Sequence, residues 1–311
     1  MTTALYSHPD CLGHVTPAGH PERVARLEAV AAALAAPAFA TLDRRDAPLA
    51  ERSELLRAHS ESYVAAIEAT APSSGGVALD ADTHMVPGSL AAALRAVGAN
   101  VAAVDAVLSG DAHRAFCAIR PPGHHAERSH AMGFCLFNSV AVAAKRALDH
   151  HGLTRVAVVD FDVHHGNGTQ DILWDEPRVL FASTHQMPLY PGSGAPHETG
   201  AHDNIMNVPL PPGAGGVAFR QAMERQILPA LEDFQPELLL ISAGFDAHAD
   251  DPLAQLNFTE EDFAWVTTRL CELAERHCGG RVVSTLEGGY DLEALAACVA
   301  AHVTALMERD G

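Results

Sequence analysis

The chain is short of positive charge: Lys and Arg number 20 against 39 Asp and Glu, a formal net charge of −19. That deficit argues against nucleic acid or anionic membrane as the main partner and suits cationic substrates. Cysteine is sparse, and its six positions (11, 117, 135, 271, 278 and 298) include no Cys-x-x-Cys pair. The pattern excludes a disulfide framework and fits a reduced, cytoplasmic setting. The N-terminus lacks the basic and apolar regions of a signal peptide. The most apolar stretch, residues 89–108, contains Arg95, Asn100 and Asp105 and reads as a packed core helix before a membrane span. Repeats and linker-like loops are missing too. Residues 1–311 therefore read as one domain, with a hydrophobic fraction of 48% to fill a large core. Oligomeric state stays open, a homo-oligomer included.

What the chain does have is strand–helix alternation from about residue 115 onward. Strands are predicted at 115–119, 156–160, 179–183, 238–242 and 282–286, with a short one near Leu5. Helices are predicted at 22–35, 62–69, 89–108, 139–150, 217–231, 260–277 and 292–307. Pro21 suits the first turn of its helix, and Gly110 and Gly152 suit helix exits. Loops rich in Gly and Pro are expected at 71–76, 190–200 and 209–216. The fold class is α/β, with an open, mostly parallel sheet and helices on both faces.

Four predicted strands run into reactive polar residues: His124-His125, then Asp160, Asp162 and His164, then Asp246, and last Glu287-Gly288-Gly289-Tyr290. An extended continuation of the second strand would point Asp160, Asp162 and His164 the same way. Parallel strands bring such endings to one edge, where ligands bind in open α/β sheets. Asp162, His164 and Asp246 supply two oxygens and one nitrogen, a set open to zinc, iron(II) or cobalt. His124 and His125 offer a base for water and an acid for a leaving group. Tyr290, after two glycines, can donate its hydroxyl to an oxyanion. Taken singly, an Asp at a strand end is a cap or turn residue and Gly-Gly-Tyr is a turn. Together, the endings point to metal-assisted hydrolysis of an amide or similar bond. His59, His113 and His150-His151 have no such company and read as helix-end or surface residues.

The ordered motifs resemble the zinc-dependent histone deacetylase superfamily, with its bacterial deacetylase-like amidohydrolases and acetylpolyamine amidohydrolases, which have the arginase-deacetylase type of fold. They run from His20-Pro21-Glu22-Arg23 through Arg120-Pro121-Pro122-Gly123-His124-His125-Ala126 and Gly133-Phe134-Cys135-Leu136-Phe137-Asn138. Asp160-Phe161-Asp162-Val163-His164-His165-Gly166-Asn167-Gly168-Thr169-Gln170, Ser242-Ala243-Gly244-Phe245-Asp246 and Leu286-Glu287-Gly288-Gly289-Tyr290 complete the series. Asn167 and the Leu-Glu-Gly-Gly-Tyr ending look more like class II than class I.

By position, the resemblance implies that Asp162, His164 and Asp246 bind zinc. It makes His125 the general base and acid and His124 the electrostatic histidine, with Asp160 and Asn167 orienting the two imidazoles. Tyr290 matches the tyrosine that polarises the carbonyl. Gly133 and Phe134 match one wall of the acyl-lysine tunnel, and Tyr190 stands where relatives commonly carry the opposing phenylalanine. Asp82 falls near a rim aspartate, and Arg26 matches an arginine by the acetate exit. A potassium ion is implied at Asp160, Asp162, His164 and Ser183. The implied substrates are acylated lysine in a peptide or protein, or small cationic acylamines such as acetylpolyamines. Leu253 follows Asp251-Pro252 where polyamine-preferring relatives carry a glutamate. Two other readings are a two-manganese ureohydrolase, prompted by Asp246-Ala247-His248-Ala249-Asp250, and a non-catalytic acyl-group sensor. The first lacks a downstream Asp-x-Asp, which leaves His248 and Asp250 as loop residues. The second sits poorly with a full set of catalytic positions.

Overall fold

The computed structural model describes residues 2–308. In chain order its strands are β1 (Thr3–Ser7), β2 (Asp43–Asp46), β3 (Val77–Ala78), β4 (His84–Met85), β5 (Arg114–Cys117), β6 (Val156–Asp160), β7 (Val179–Gln186), β8 (Ile205–Leu210), β9 (Leu238–Ala243) and β10 (Val282–Leu286). Eight of them form one sheet in the order β2-β1-β5-β10-β9-β6-β7-β8. Every neighbouring pair in that sheet is parallel. β3 and β4 pair antiparallel, as a separate two-stranded unit.

All residues of β5, β6, β7, β9 and β10 are buried, whichever face they point to. A strand covered on both faces has no reason to alternate polar and apolar residues, which accounts for runs such as Val156-Ala157-Val158-Val159. The cover is helical. Helices Val24–Leu34, Glu260–His277 and Leu292–Met307 pack together, and Ser89–Ser109 packs on Ser139–Asp149. Helix Ser89–Ser109 is long and apolar enough to cross a membrane, but 61% of its most apolar window is buried inside the protein. Its Asn100 donates to Thr285 Oγ1 of β10 at 3.0 Å, a buried polar tie between helix and sheet.

Several expectations change. The first long helix begins at Val24 with Arg23 as its cap, so Pro21 lies before it. The 217–231 helix is interrupted by a π-type turn at Met223–Ile227 and resumes to Phe234. The loop expected at 209–216 starts inside β8, because Pro209 sits in an edge strand that tolerates a missing N–H. β6 ends at Asp160, so the chain beyond it is not extended. All six cysteines are buried.

Candidate active site

β5, β10, β9 and β6 are consecutive neighbours in the sheet, so the segments leaving their C-terminal ends lie side by side. Those are the four polar endings singled out in the sequence. Beyond β6 the chain bends back on its own carboxylates. The Asp162 amide donates to Asp160 Oδ1 at 3.0 Å, and the His164 amide donates to Asp162 Oδ1 at 2.9 Å. Local side-chain-to-backbone bonds of this kind compete with the ladder and end the strand.

One ligand atom each from Asp162, His164 and Asp246 lies within 4.8 Å of the others, and all three residues are buried. His164 Nδ1 stands 3.1 Å from Asp162 Oδ1 and 3.1 Å from Asp246 Oδ2. The carboxylates are aimed by backbone donors: Gly288 N–H to Asp162 Oδ2 at 2.8 Å and Val163 N–H to Asp246 Oδ1 at 2.9 Å. A Cβ at Gly244 would fall on Asp162 Oδ2, and one at Gly288 would fall on Asp246 Oδ2. The cluster therefore closes only where the crossing backbone has no side chain.

Burial and mutual charge act differently on the three groups. Burial, then the Asp162 carboxylate, pushes Asp246 up to about 7. Burial alone would raise Asp162 too, but His124 and His164 outweigh it and hold Asp162 below the usual range. Burial likewise disfavours a charged His164, yet its bonds to Asp162 and Asp246 hold it up at about 10. Two carboxylates thus converge on one imidazole. The donor set fits a divalent ion with positions left open.

His124 and His125 sit at the end of β5 with ring centroids 4.1 Å apart. His124 Nδ1 donates to Asp160 Oδ2 at 3.0 Å, and its Nε2 faces Asp162 Oδ2 at 3.8 Å. Burial would neutralise it, but Asp162 and Asp160 prevail and keep it protonated well above the usual histidine value. His125 Nδ1 is 2.7 Å from Asn167 Oδ1. Asn167 Nδ2 donates to Glu127 Oε1 at 2.8 Å, a carboxylate that can only accept. That fixes the amide with its oxygen toward His125, puts a proton on Nδ1, and leaves Nε2 with a lone pair. Burial, then His124 and His164, drives His125 well below its ordinary value.

Tyr290 is anchored from several sides. Its amide donates to Asp251 Oδ2 at 2.7 Å, and Asp291 caps the helix Leu292–Met307 just beyond it. Arg26 donates to the carbonyls of Gly289 at 2.5 Å and Glu287 at 2.6 Å, and its guanidinium lies 4.9 Å from the centre of the Tyr290 ring. Burial, followed by Asp246, raises the phenol well above its usual value, so it stays a donor. Arg26 is itself fully buried against Glu22, whose burial cost is outweighed by Arg120 and Arg26.

A cavity of about 240 Å³ is lined by Asp82, His125, Gly133, Phe134, His164, Leu189, Tyr190, Leu253 and Tyr290. Phe134 stands edge-on to Tyr290 with centroids 5.9 Å apart, and Tyr190 stands edge-on to His125 at 5.2 Å. Phe134 has a φ of 71°, an uncommon conformation for a bulky side chain, and its amide donates to Thr83 Oγ1 at 3.1 Å. Asp82 lies on the same lining, and its carbonyl accepts from His20 Nε2 at 2.9 Å. Ser183 stays apart from this cavity, as the register partner of Asp160 across β6 and β7.

Sequence reasoning gave no role to Asp251, Glu127 or Leu189. It also missed that Glu287 Oε2 accepts from the amides of Gly123, at 2.6 Å, and His124, at 3.2 Å. Glu287 lies inside a quoted motif, so its position was a signal. Glu127 and Leu189 gave none. His59 is buried, not superficial: Nδ1 donates to the Glu127 carbonyl at 3.0 Å, and Nε2 accepts from the Asn138 amide at 2.9 Å. His248 faces Asp250 and Glu260, and among the described residues the only three-ligand cluster is the one at Asp162, His164 and Asp246.

The family model described as a histone deacetylase domain matches residues 20–306. An uncharacterized protein of Synechocystis is 44% identical, with 96% of this chain and 97% of that protein covered. The histone deacetylase-like amidohydrolase of Pseudomonas aeruginosa is 45% identical, covering 81% of this chain and 67% of its own length. The crystal structure of the HDA15 HD domain superposes with a TM-score of 0.92 at 35% identity, covering 98% of this chain and 89% of that one. With the family model spanning nearly the whole sequence and the fold matched at a TM-score of 0.92, the chain belongs to the histone deacetylase family, a family of deacetylases and related amidohydrolases.

Proposed function

We propose that the protein removes acetyl, or a related acyl group, from acylated lysine or small acylated amines, with one zinc ion held by Asp162, His164 and Asp246. The observation that carries this reading is the buried triad, whose His164 lines the same cavity as His125 and Tyr290. When bound, zinc supplies Lewis acidity toward a carbonyl oxygen and acidifies water. The substrate's acyl stem lies between Phe134 and Tyr190, which keep bulk water from the amide. His125 Nε2 accepts a proton from the attacking water, because Asn167 keeps the other ring nitrogen protonated. His124, held as a cation between Asp160 and Asp162, stabilises the negative charge that develops. The Tyr290 hydroxyl donates to the oxygen that was the amide carbonyl. His125 then returns its proton to the leaving amine nitrogen.

Asp82 is proposed to hold the substrate at the rim and Arg26 to border the exit for acetate. Potassium would be held through Asp160, Asp162, His164 and Ser183; the first and last are register partners, which supports a shared main-chain site. Leu253 on the cavity lining offers no carboxylate to a distal ammonium. We therefore favour acyl-lysine over acetylpolyamine. The test is parallel turnover of an acetyl-lysine peptide, acetylputrescine and acetylspermidine by zinc-loaded protein. The peptide should have the highest kcat/KM; no hydrolysis of any of the three sinks the reading.

A further inference from the structure

The wall opposite Phe134 belongs to an irregular loop between β7 and β8, and Tyr190 on it is 40% exposed. A tyrosine on such a loop defines a channel only if something fixes the loop. The fixing groups stand behind the site, in residues that neither hold the metal nor handle the proton. His165, next to His164 in sequence, has Nε2 at 3.1 Å from Gln170 Oε1. That oxygen also accepts from Asn207 Nδ2 at 2.7 Å, while Gln170 Nε2 donates to Glu198 Oε2 at 2.6 Å. The amide orientation is thus settled, His165 Nε2 is the protonated nitrogen, and Nδ1 accepts the hydroxyl of Ser193 at 2.9 Å.

A second histidine repeats the arrangement. His185 Nε2 donates to the Gly194 carbonyl at 3.0 Å, and its Nδ1 accepts from Ser183 Oγ at 2.9 Å. Glu198 closes the turn by accepting from the amides of Gly194, at 3.1 Å, and Ala195, at 2.9 Å. The two imidazoles face each other with centroids 4.8 Å apart. Gly194, with φ of 93°, lies against both: a Cβ there would come within 2.5 Å of His185 Nε2 and 2.6 Å of His165 Cγ. Ser193 and Gly194 are only three and four residues from Tyr190, so the loop has little slack between anchor and wall.

We propose that His165, His185 and Glu198 are positioning residues that latch the Ser193-Gly194 turn and so set the channel width that Tyr190 presents to the acyl group. The inference rests on the reading of the site as an acyl-amide hydrolase. The latch acts on which acyl chain fits, not on the proton transfer itself. A hydrogen bond removed from it loosens Tyr190 while leaving the hydrogen bonds that orient His125, Tyr290 and the metal ligands in place. Longer acyl chains then gain access, and acetyl loses its close-fitting wall.

The test compares wild type with Ser193→Ala, Ser193→Thr and Glu198→Ala on acetyl-, propionyl- and butyryl-lysine peptides, with metal content measured on each. Both alanine variants should keep their metal. The acetyl-to-butyryl ratio of kcat/KM should fall about fivefold in Ser193→Ala, chiefly through KM for acetyl, as expected for one lost hydrogen bond, and at least as far in Glu198→Ala, which loses three. Ser193→Thr keeps a hydroxyl and should keep the wild-type ratio. An unchanged ratio in Ser193→Ala, with wild-type enzyme active, overturns the latch alone. Wild-type enzyme inert toward all three peptides overturns the hydrolase reading and the latch with it.

Discussion

His124 and His125 are adjacent in sequence and 4.1 Å apart between ring centres, yet their surroundings drive their protonation in opposite directions. His124 has Asp160 and Asp162 against it; His125 has a neutral amide as its hydrogen-bond partner and two imidazoles beside it. Neighbouring groups pushed apart in this way divide the duties of electrostatic stabiliser and base. Replacing Asn167 with Asp puts a carboxylate on His125 Nδ1. The acid limb of the pH–rate profile should then move up by about one unit, since an opposite charge at hydrogen-bond range favours the imidazolium. A profile that stays in place shows that His125 is not the group titrating.

Removing the Tyr290 hydroxyl tests the other side of the reaction. Tyr290→Phe keeps the ring that packs on Phe134 and Arg26 but loses the donor. The kcat should fall about 10²- to 10³-fold, the usual loss for one oxyanion donor. Metal stoichiometry, read by elemental analysis, should not change.

Asp246→Asn removes the carboxyl that burial, and then the Asp162 charge, hold at about 7. The metal-free variant should melt no lower than metal-free wild type. Wild type should gain about 3 kcal/mol of stability at a zinc concentration a hundredfold above Kd, and the variant should gain little. Thermal melts with and without zinc measure both. Gly288→Ala should lose zinc as well, because its new Cβ displaces the Asp246 carboxylate.

Buried neutral histidines set an acid limit on the fold. Burial lowers His59 to about 4 and His302 to about 3, with His302 bonded to Thr267 and Ser284. Between pH 6.5 and these values each of the two histidines binds more protons unfolded than folded, so its contribution to stability falls as pH falls. The contribution is fully present above 6.5, and its loss at His59 reaches about 3 kcal/mol by pH 4. Urea unfolding at pH 7.5, 6.0 and 5.0 should give steadily lower midpoints, and His302→Gln should flatten the trend.

The legible part of the sequence was where composition had one cause. The central strands are buried on both faces and read as apolar runs, and their polar endings stood out against that background. β2 was not legible: its Asp-Arg-Arg-Asp sequence suits an exposed edge and carries no apolar signal. β8 hid behind Asn207 and Pro209. Asp160, Asp162 and His164 do gather, but through carboxylate–amide bonds that fold the chain back, not through strand alternation. His59 read as superficial because the partners that bury it, Glu127 and Asn138, are 68 and 79 residues away in sequence.

The sheet order carries one more implication. The ligands leave β6 and β9, which are neighbours, while His124, His125 and Tyr290 leave β5 and β10, also neighbours. Ion capture and acid–base work thus occupy two halves of one edge, joined by Asp160 and Asn167, which reach from the β6 side to the two imidazoles. A lineage could lose the second half and keep the first, yielding a receptor that grips an acyl amide and never cuts it.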